Sequence, residues 1–250
     1  MKHLLAIAAV AFTGALHAQS DAPGSAWSIG ATGWYGGSYR SLLNTNGSGT
    51  ADAIIETRDD RERPDMAFGG GLCTAYRLSE RFSLEAGLAY ARFGYAYSVD
   101  AGELTFGDVI DPRRGFVYNS NTVLGGSWRL VDRFHYLEVP IGLVMELGRG
   151  RWGSSTALGI APSALLSARG ITVSTNADGS EQREQYDLTG DFASFNLIPY
   201  FSTGITMRTA GRWQWSLRPT VRYGALRVID APVSARLYSV SLDLGVRIAL

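Results

Sequence analysis

The sequence predicts an all-β fold: an eight-stranded antiparallel transmembrane β-barrel with long outer loops and short periplasmic turns. Three observations predict it. First, the last sixteen residues, Ala235 to Leu250, alternate strictly. Tyr238, Val240, Leu242, Leu244, Val246, Ile248 and Leu250 are large and apolar, while Ser239, Ser241, Asp243, Gly245 and Arg247 are small or charged. Alternation with period two sends one set to each face of a strand, which suits lipid outside and a polar lumen inside. Second, the connections between strand-like segments run long, short, long, short, long, short, medium, the sorting a membrane barrel requires. Third, aromatic residues collect at both ends of the strands. Trp27, Phe82, Trp152 and Trp213 fall near the short turns, and Tyr35, Tyr90, Tyr136, Phe195, Tyr223 and Tyr238 toward the long loops, as two interfacial girdles.

The N-terminus reads as an export signal. Lys2 precedes an apolar run from Leu4 to Leu16, and Leu16-His17-Ala18 ahead of Gln19 forms a small-residue cleavage site. The run is too short to span a bilayer, so residues 1–18 are predicted to be a signal peptide and residues 19–250 the barrel domain. Lys2 is the only lysine among 23 basic residues, so cleavage would leave 22 arginines against 23 acids, with His135 the sole histidine. That balance argues against a nucleic-acid partner. The single cysteine, Cys73, excludes an internal disulfide or a multi-cysteine metal site.

The elements follow in order. Strand one spans about Trp27 to Tyr39, and a polar segment from about Ser41 to Pro64 reads as a solvated loop. Strand two, Met66 to Leu78, presents Leu72, Thr74 and Tyr76 on one face; a short turn at Ser79-Glu80-Arg81 leads to strand three, Phe82 to Tyr97. A long segment from about Ser98 to Arg133 precedes strand four, Phe134 to Leu147. After a turn at Gly148–Arg151 comes strand five, Trp152 to Ala168. The next segment contains Asp178-Gly179, a strong hairpin signal flanked by Ile171, Val173, Tyr186 and Leu188, which predicts a ribbon above the membrane. Strand six covers Ser194 to Arg208, strand seven Trp213 to Ala225, and the terminal strand completes eight. Pro140, Pro162, Pro199 and Pro219 fall inside four of these strands, each removing a ladder donor. Bulges or frayed ends are expected there, with faces slipping by one residue beyond them.

The chain also carries two resemblances. Asp243, Gly245, Ile248 and Leu250 sit in an ending that looks like the C-terminal assembly signal of outer-membrane barrels, with Leu250 in place of the usual final aromatic. Tyr136-Leu137-Glu138-Val139-Pro140, entering a strand after a long loop, resembles the PorT-like outer-membrane β-barrel family of Bacteroidetes, and Gln19 after the cleavage site is similar in character. The resemblance implies an outer-membrane location and a cell-envelope role. A named member of that family is implicated in protein secretion.

The inward-facing charges are Arg77, Glu85, Glu138, Glu146, Arg208, Arg218, Arg222, Asp243 and Arg247. An eight-strand ring encloses a lumen that side chains just fill, and an unpaired charge inside is costly. A paired polar network is therefore expected, with a narrow ion path lined by the same residues as the alternative. No catalytic site is expected: His135, Glu138 and nearby serines show no convergence of nucleophile, base and orienting group. No cofactor or metal is expected either, since Asn176–Glu181 lacks the spacing of a calcium loop and is better read as a turn. The function expected is a non-enzymatic, structural or surface-binding barrel. The alternatives are a small pore or secretion accessory, and then a lipid-modifying enzyme. Expected partners are outer-membrane lipid and lipopolysaccharide, the barrel-assembly machinery during insertion, and a surface or secretion partner at the outer loops. For that last contact the candidates are Asp59-Asp60-Arg61-Glu62-Arg63 and Asp111-Pro112-Arg113-Arg114.

Overall fold

A computed structural model describes residues 26–250 apart from positions 46, 101–108, 111–116, 119–126, 149, 176–178, 210–211 and 230. The predicted signal peptide and the Asp111–Arg114 segment lie outside the described residues. In chain order the elements are β1 (Trp27–Asn44), α1 (Gly49–Arg61), β2 (Glu62–Arg77), β3 (Phe82–Asp100), β4 (Val109–Ile110), β5 (Val117–Tyr118), β6 (Ser127–Glu138), β7 (Ile141–Leu147), β8 (Trp152–Thr175), β9 (Glu181–Asp187), β10 (Phe195–Arg208), β11 (Trp213–Tyr223) and β12 (Val233–Ala249). Both β6 and β7 pair with β3 on one side and β8 on the other, so together they fill one strand's place. The ring runs β1, β2, β3, β6/β7, β8, β10, β11, β12 and closes where β12 pairs with β1, from Ser28↔Ala249 to Asn44↔Val233. Every pairing is antiparallel. The eight-stranded barrel read from the sequence is therefore the fold.

The apolar set of each strand points outward. Leu72, Leu158 and Val240 are 64%, 65% and 57% exposed, and Leu84, Leu143, Phe201, Leu217 and Leu244 stand beside them in a continuous belt. Their sequence neighbours face inward: Ser155, Ser163, Ser239 and Ser241 are all buried. In water this arrangement would be inside out; in lipid it leaves apolar surface on lipid and every ladder hydrogen bond internal.

The prolines disturb the ring less than expected. Registers continue through Pro162, Pro199 and Pro219 without a shift. Only Pro140 interrupts a strand, separating β6 from β7, and no face slips there: Leu137 and Ile141 are both exposed, Glu138 and Gly142 both buried. The carbonyls of Pro140 and Pro162 still accept from the backbone N–H of Gly87 (3.0 Å) and Val139 (2.9 Å), so only the donor side is lost. The predicted slip occurs at Leu166 instead. His135 lies opposite Ser167 and Tyr136 opposite Leu165, so β8 carries one extra residue. Beyond this bulge Ala168 and Gly170, even-numbered like the outward Leu158 and Leu166 below it, are buried.

Three further expectations are corrected. The Ser41–Pro64 segment is not a loop: β1 continues to Asn44, β2 begins at Glu62, and α1 lies between them. Its N-cap is Ser48, whose hydroxyl accepts from the Ala51 N–H at 3.2 Å. Tyr136 is not in the girdle. It is fully buried in the lumen against Phe93, with ring centroids 6.0 Å apart. The outer strands are also longer than the sequence suggested, β3 reaching Asp100 and β6 starting at Ser127. The ribbon does form, as β9 paired to the outer end of β8, with Gly179 at its tip in a left-handed conformation (φ 81°).

Space inside the ring is set by glycine. Gly142 and Gly159 oppose each other on β7 and β8, and the Tyr200 ring from β10 lies across them. A Cβ on Gly159 would sit 2.5 Å from the ring's Cζ and hydroxyl. Gly159→Val is accordingly expected to cost about 1–3 kcal/mol through overpacking. A lowered midpoint for conversion from the compact to the heat-denatured band on a detergent gel would measure it.

Candidate functional site

The lumen is built in tiers. Nearest the short turns, Arg208 Nη2 donates to Glu146 Oε2 at 2.7 Å, and Gln214 donates to the other carboxylate oxygen at 2.9 Å. Above, Arg247 Nη2 donates to Glu85 Oε2 at 2.7 Å, and Arg218 Nη1 lies 3.8 Å from that same oxygen. Next, Arg222 Nη2 donates to Asp243 Oδ2 at 2.8 Å, and Ser241 links the two. The guanidinium carbon of Arg222 sits 4.4 Å from the centre of the Trp34 ring. Glu138 is buried at this level, its Oε1 without a hydrogen-bond partner among the described residues. It lines a cavity of about 60 Å³ together with Arg218, Arg222 and Tyr200, room for ordered water. Of the nine charges read from the sequence, eight meet in this stack. Arg77 does not: it is exposed at the periplasmic mouth, lining a 370 Å³ vestibule with Arg208 and Arg212.

The outer half of the lumen is apolar, which the sequence reading missed. Trp34, Phe93, Tyr95, Phe134, Tyr136 and Ile198 from the strands pack with Leu188 and Phe192 from the β9–β10 connection and Val228 and Ile229 from the β11–β12 connection. Phe134 and Phe192 meet edge to face at 4.8 Å. Two of the outer connections thus fold into the barrel mouth and stop it. Around this plug, Arg40 pairs with Glu62, which the sequence placed in a solvated loop but which is buried; Arg40 Nη1 also donates to the Tyr95 hydroxyl at 2.8 Å.

A second charged cluster lies on the outside wall. The outward apolar run stops at Tyr90 on β3 and Leu137 on β6, and the next outward residues are Arg92 and His135. Arg92, His135 and Ser167 stand side by side on β3, β6 and β8, with Gly94, Arg133 and Arg169 one row further out. Tyr90 Oη and His135 Nδ1 share a hydrogen bond of 2.5 Å. Arg92 Nη2 donates to Asp65 Oδ2 at 2.8 Å and Arg133 Nε to the same oxygen at 3.3 Å. His135 and Glu138 occupy opposite sides of the wall, so they form no common site. One signal in the sequence could have found this cluster. Below Tyr90 the even residues of β3 are apolar, whereas beyond it the odd ones are (Ala91, Phe93, Tyr95) and Arg92 takes the outward place.

A closed antiparallel ring, a lipid-facing apolar belt, long outer connections and a charged, side-chain-filled lumen define a bacterial outer-membrane β-barrel. The chain belongs to the outer membrane protein beta-barrel domain family, whose match covers residues 17–225. No curated protein sequence matches it. Among solved structures it is similar to Neisserial surface protein A, at 11% identity over 92% of this chain and 100% of that one, with a TM-score of 0.40. It is also similar to OprG of Pseudomonas aeruginosa (11% identity, 91% and 98% covered, TM-score 0.45) and to the outer membrane protease OmpT of Escherichia coli (8% identity, 94% and 99% covered, TM-score 0.44).

Among the described residues Glu85 is the carboxylate that forms an ion pair with both Arg218 and Arg247. Glu85→Ala should therefore destabilise the barrel by about 3–5 kcal/mol, the cost of stranding buried guanidiniums; urea unfolding of the refolded protein in detergent measures it.

Proposed function

We propose that this chain is a closed, non-enzymatic outer-membrane barrel whose outer connections form a binding surface on a rigid base. The observation that carries this reading is the apolar plug: Leu188, Phe192, Val228 and Ile229 from two outer connections pack on Phe93, Phe134 and Tyr136 inside the mouth. Loops tied down in this way present a fixed surface, and binding residues concentrate on loops held by a rigid scaffold. Beneath the plug, four acids and four arginines are stacked across the lumen, which favours a filled interior over an aqueous path.

The reading includes export through the signal peptide at residues 1–18 and insertion by the barrel-assembly machinery through Asp243, Gly245, Ile248 and Leu250. It also includes contact with outer-membrane lipid, lipopolysaccharide and a surface partner. The likeness of Tyr136–Pro140 to the PorT-like family favours an envelope role and leaves a secretion accessory as the alternative.

Purified protein in planar bilayers is expected to give no reproducible single-channel current; steady unitary currents would replace this reading with the pore. Phe192→Ala should leave the barrel heat-modifiable yet free the β9–β10 connection, making it cleavable by added protease in intact cells. Unchanged protease resistance would remove the plug as the element that fixes the loops.

A further inference from the structure

The outer wall of β3, β6 and β8 carries a feature that neither the lumen nor the loop surface explains. Arg133 and Arg169 are directly opposed cross-strand neighbours, both pointing outward. Like charges placed so are destabilising, because their Cβ atoms stand only about 5 Å apart. Compensation within the chain is partial. Asp65 is shared between Arg92 and Arg133, and Arg169 has no hydrogen bond or ion pair among the described residues. Asp187 lies opposite Arg169 on β9, but its Oδ1 is already engaged by the Thr189 N–H (2.9 Å) and hydroxyl (2.6 Å). Three guanidiniums therefore face two carboxylates.

The cluster's height identifies what could supply the missing charge. Directly below it are Phe68 and Tyr90, 6.4 Å apart, with Leu137 and Leu166 exposed at the upper edge of the apolar belt. Directly above it, Ala96, Val131 and Ile171 form a small buried apolar group on the same face. The guanidinium of Arg92 is buried over the Phe68 ring, 5.1 Å from its centre, while Arg133 is 30% exposed and Arg169 is open. An anion at this level has its acyl chains on the belt and its headgroup against the arginines.

We infer that Arg133 and Arg169, braced by Arg92 and His135, bind the phosphate of a phosphorylated glycolipid in the outer leaflet of the membrane. Arginine suits the task, since its planar fork matches phosphate oxygens two at a time. The inference rests on the outer-membrane reading above and gives its lipopolysaccharide contact a site, and it stands whether or not the lumen conducts.

The test is equilibrium binding by the full mature chain, refolded in zwitterionic detergent, to lipid A bearing both glucosamine phosphates, to its dephosphorylated form, and to inorganic phosphate. Lipid A should bind about tenfold or more tighter than either of the others, and Arg133→Ala and Arg169→Ala should each weaken it about tenfold, the worth of one charge-assisted contact. Arg227→Ala, in the exposed β11–β12 connection, should change nothing. Equal affinity for dephosphorylated lipid, or an unaffected double variant, overturns the site. Inorganic phosphate binding as tightly as lipid A overturns the lipid assignment in favour of a free anion. Should the variants fail to fold, the wild-type His135 ring resonance decides: lipid A but not its dephosphorylated form should shift it, and no shift overturns the proposal.

Discussion

Everything in this molecule depends on the pairing of its first strand with its last. Seventeen consecutive residue pairs join β1 to β12, and without them the sheet would expose two rows of unpaired backbone groups. In hydrocarbon each such group costs several kcal/mol, so an open sheet is not a stable alternative to the ring. Closure then dictates the remainder. With no edge in the ring, each described residue of the belt faces either lipid or lumen, and the charges the strands carry there meet across a narrow interior. Glu85 between Arg218 and Arg247, and Asp243 beside Arg222, are the consequence.

The same closure explains why the prolines matter so little. A proline removes one donor but keeps its carbonyl, and the neighbouring strands hold the ladder on both sides of it. The ring absorbs its misfit elsewhere, as single extra residues in β8 at Leu166 and in β2 between Pro64 and Phe68, both toward the outer rim. There the strands no longer meet lipid all round and the extra twist of a bulge is tolerated.

Within the belt the fold was legible because one rule held: large apolar residues at every second position, as from Leu84 to Tyr90 and from Tyr238 to Ile248. Turn lengths added the direction of the strands. Above the belt the rule reverses, and there the sequence misled. Phe93 and Tyr95 turn inward while Arg92 turns outward, the pattern of a water-soluble barrel standing on a membrane-embedded one. A reader following lipid-facing residues ends the strands too early and places Tyr136 by its distance along the chain rather than by its face. Glu138, two residues on and correctly inward, already implied that Tyr136 is inward too. Helix α1 left no trace because its residues are polar on nearly every side, so no apolar stripe marks it. In the lumen, parity alone was enough to bring eight charges together; it could not show Arg77 at the exposed mouth, since that depends on where the barrel ends.

The reversal also separates two kinds of arginine. Inside, Arg218, Arg222 and Arg247 are enclosed with carboxylates and ordered by geometry, their charges cancelled within the chain. Outside, Arg133 and Arg169 stand opposed in a region between water and hydrocarbon, where screening is weaker than in bulk solvent and repulsion correspondingly larger. Nothing in ring closure requires arginine at either position; a serine or threonine would keep the ladder and remove the repulsion. A barrel that sets its buried arginines against carboxylates, yet leaves an arginine pair undercompensated on its wall at the upper edge of the lipid belt, has its complement in the membrane rather than in itself.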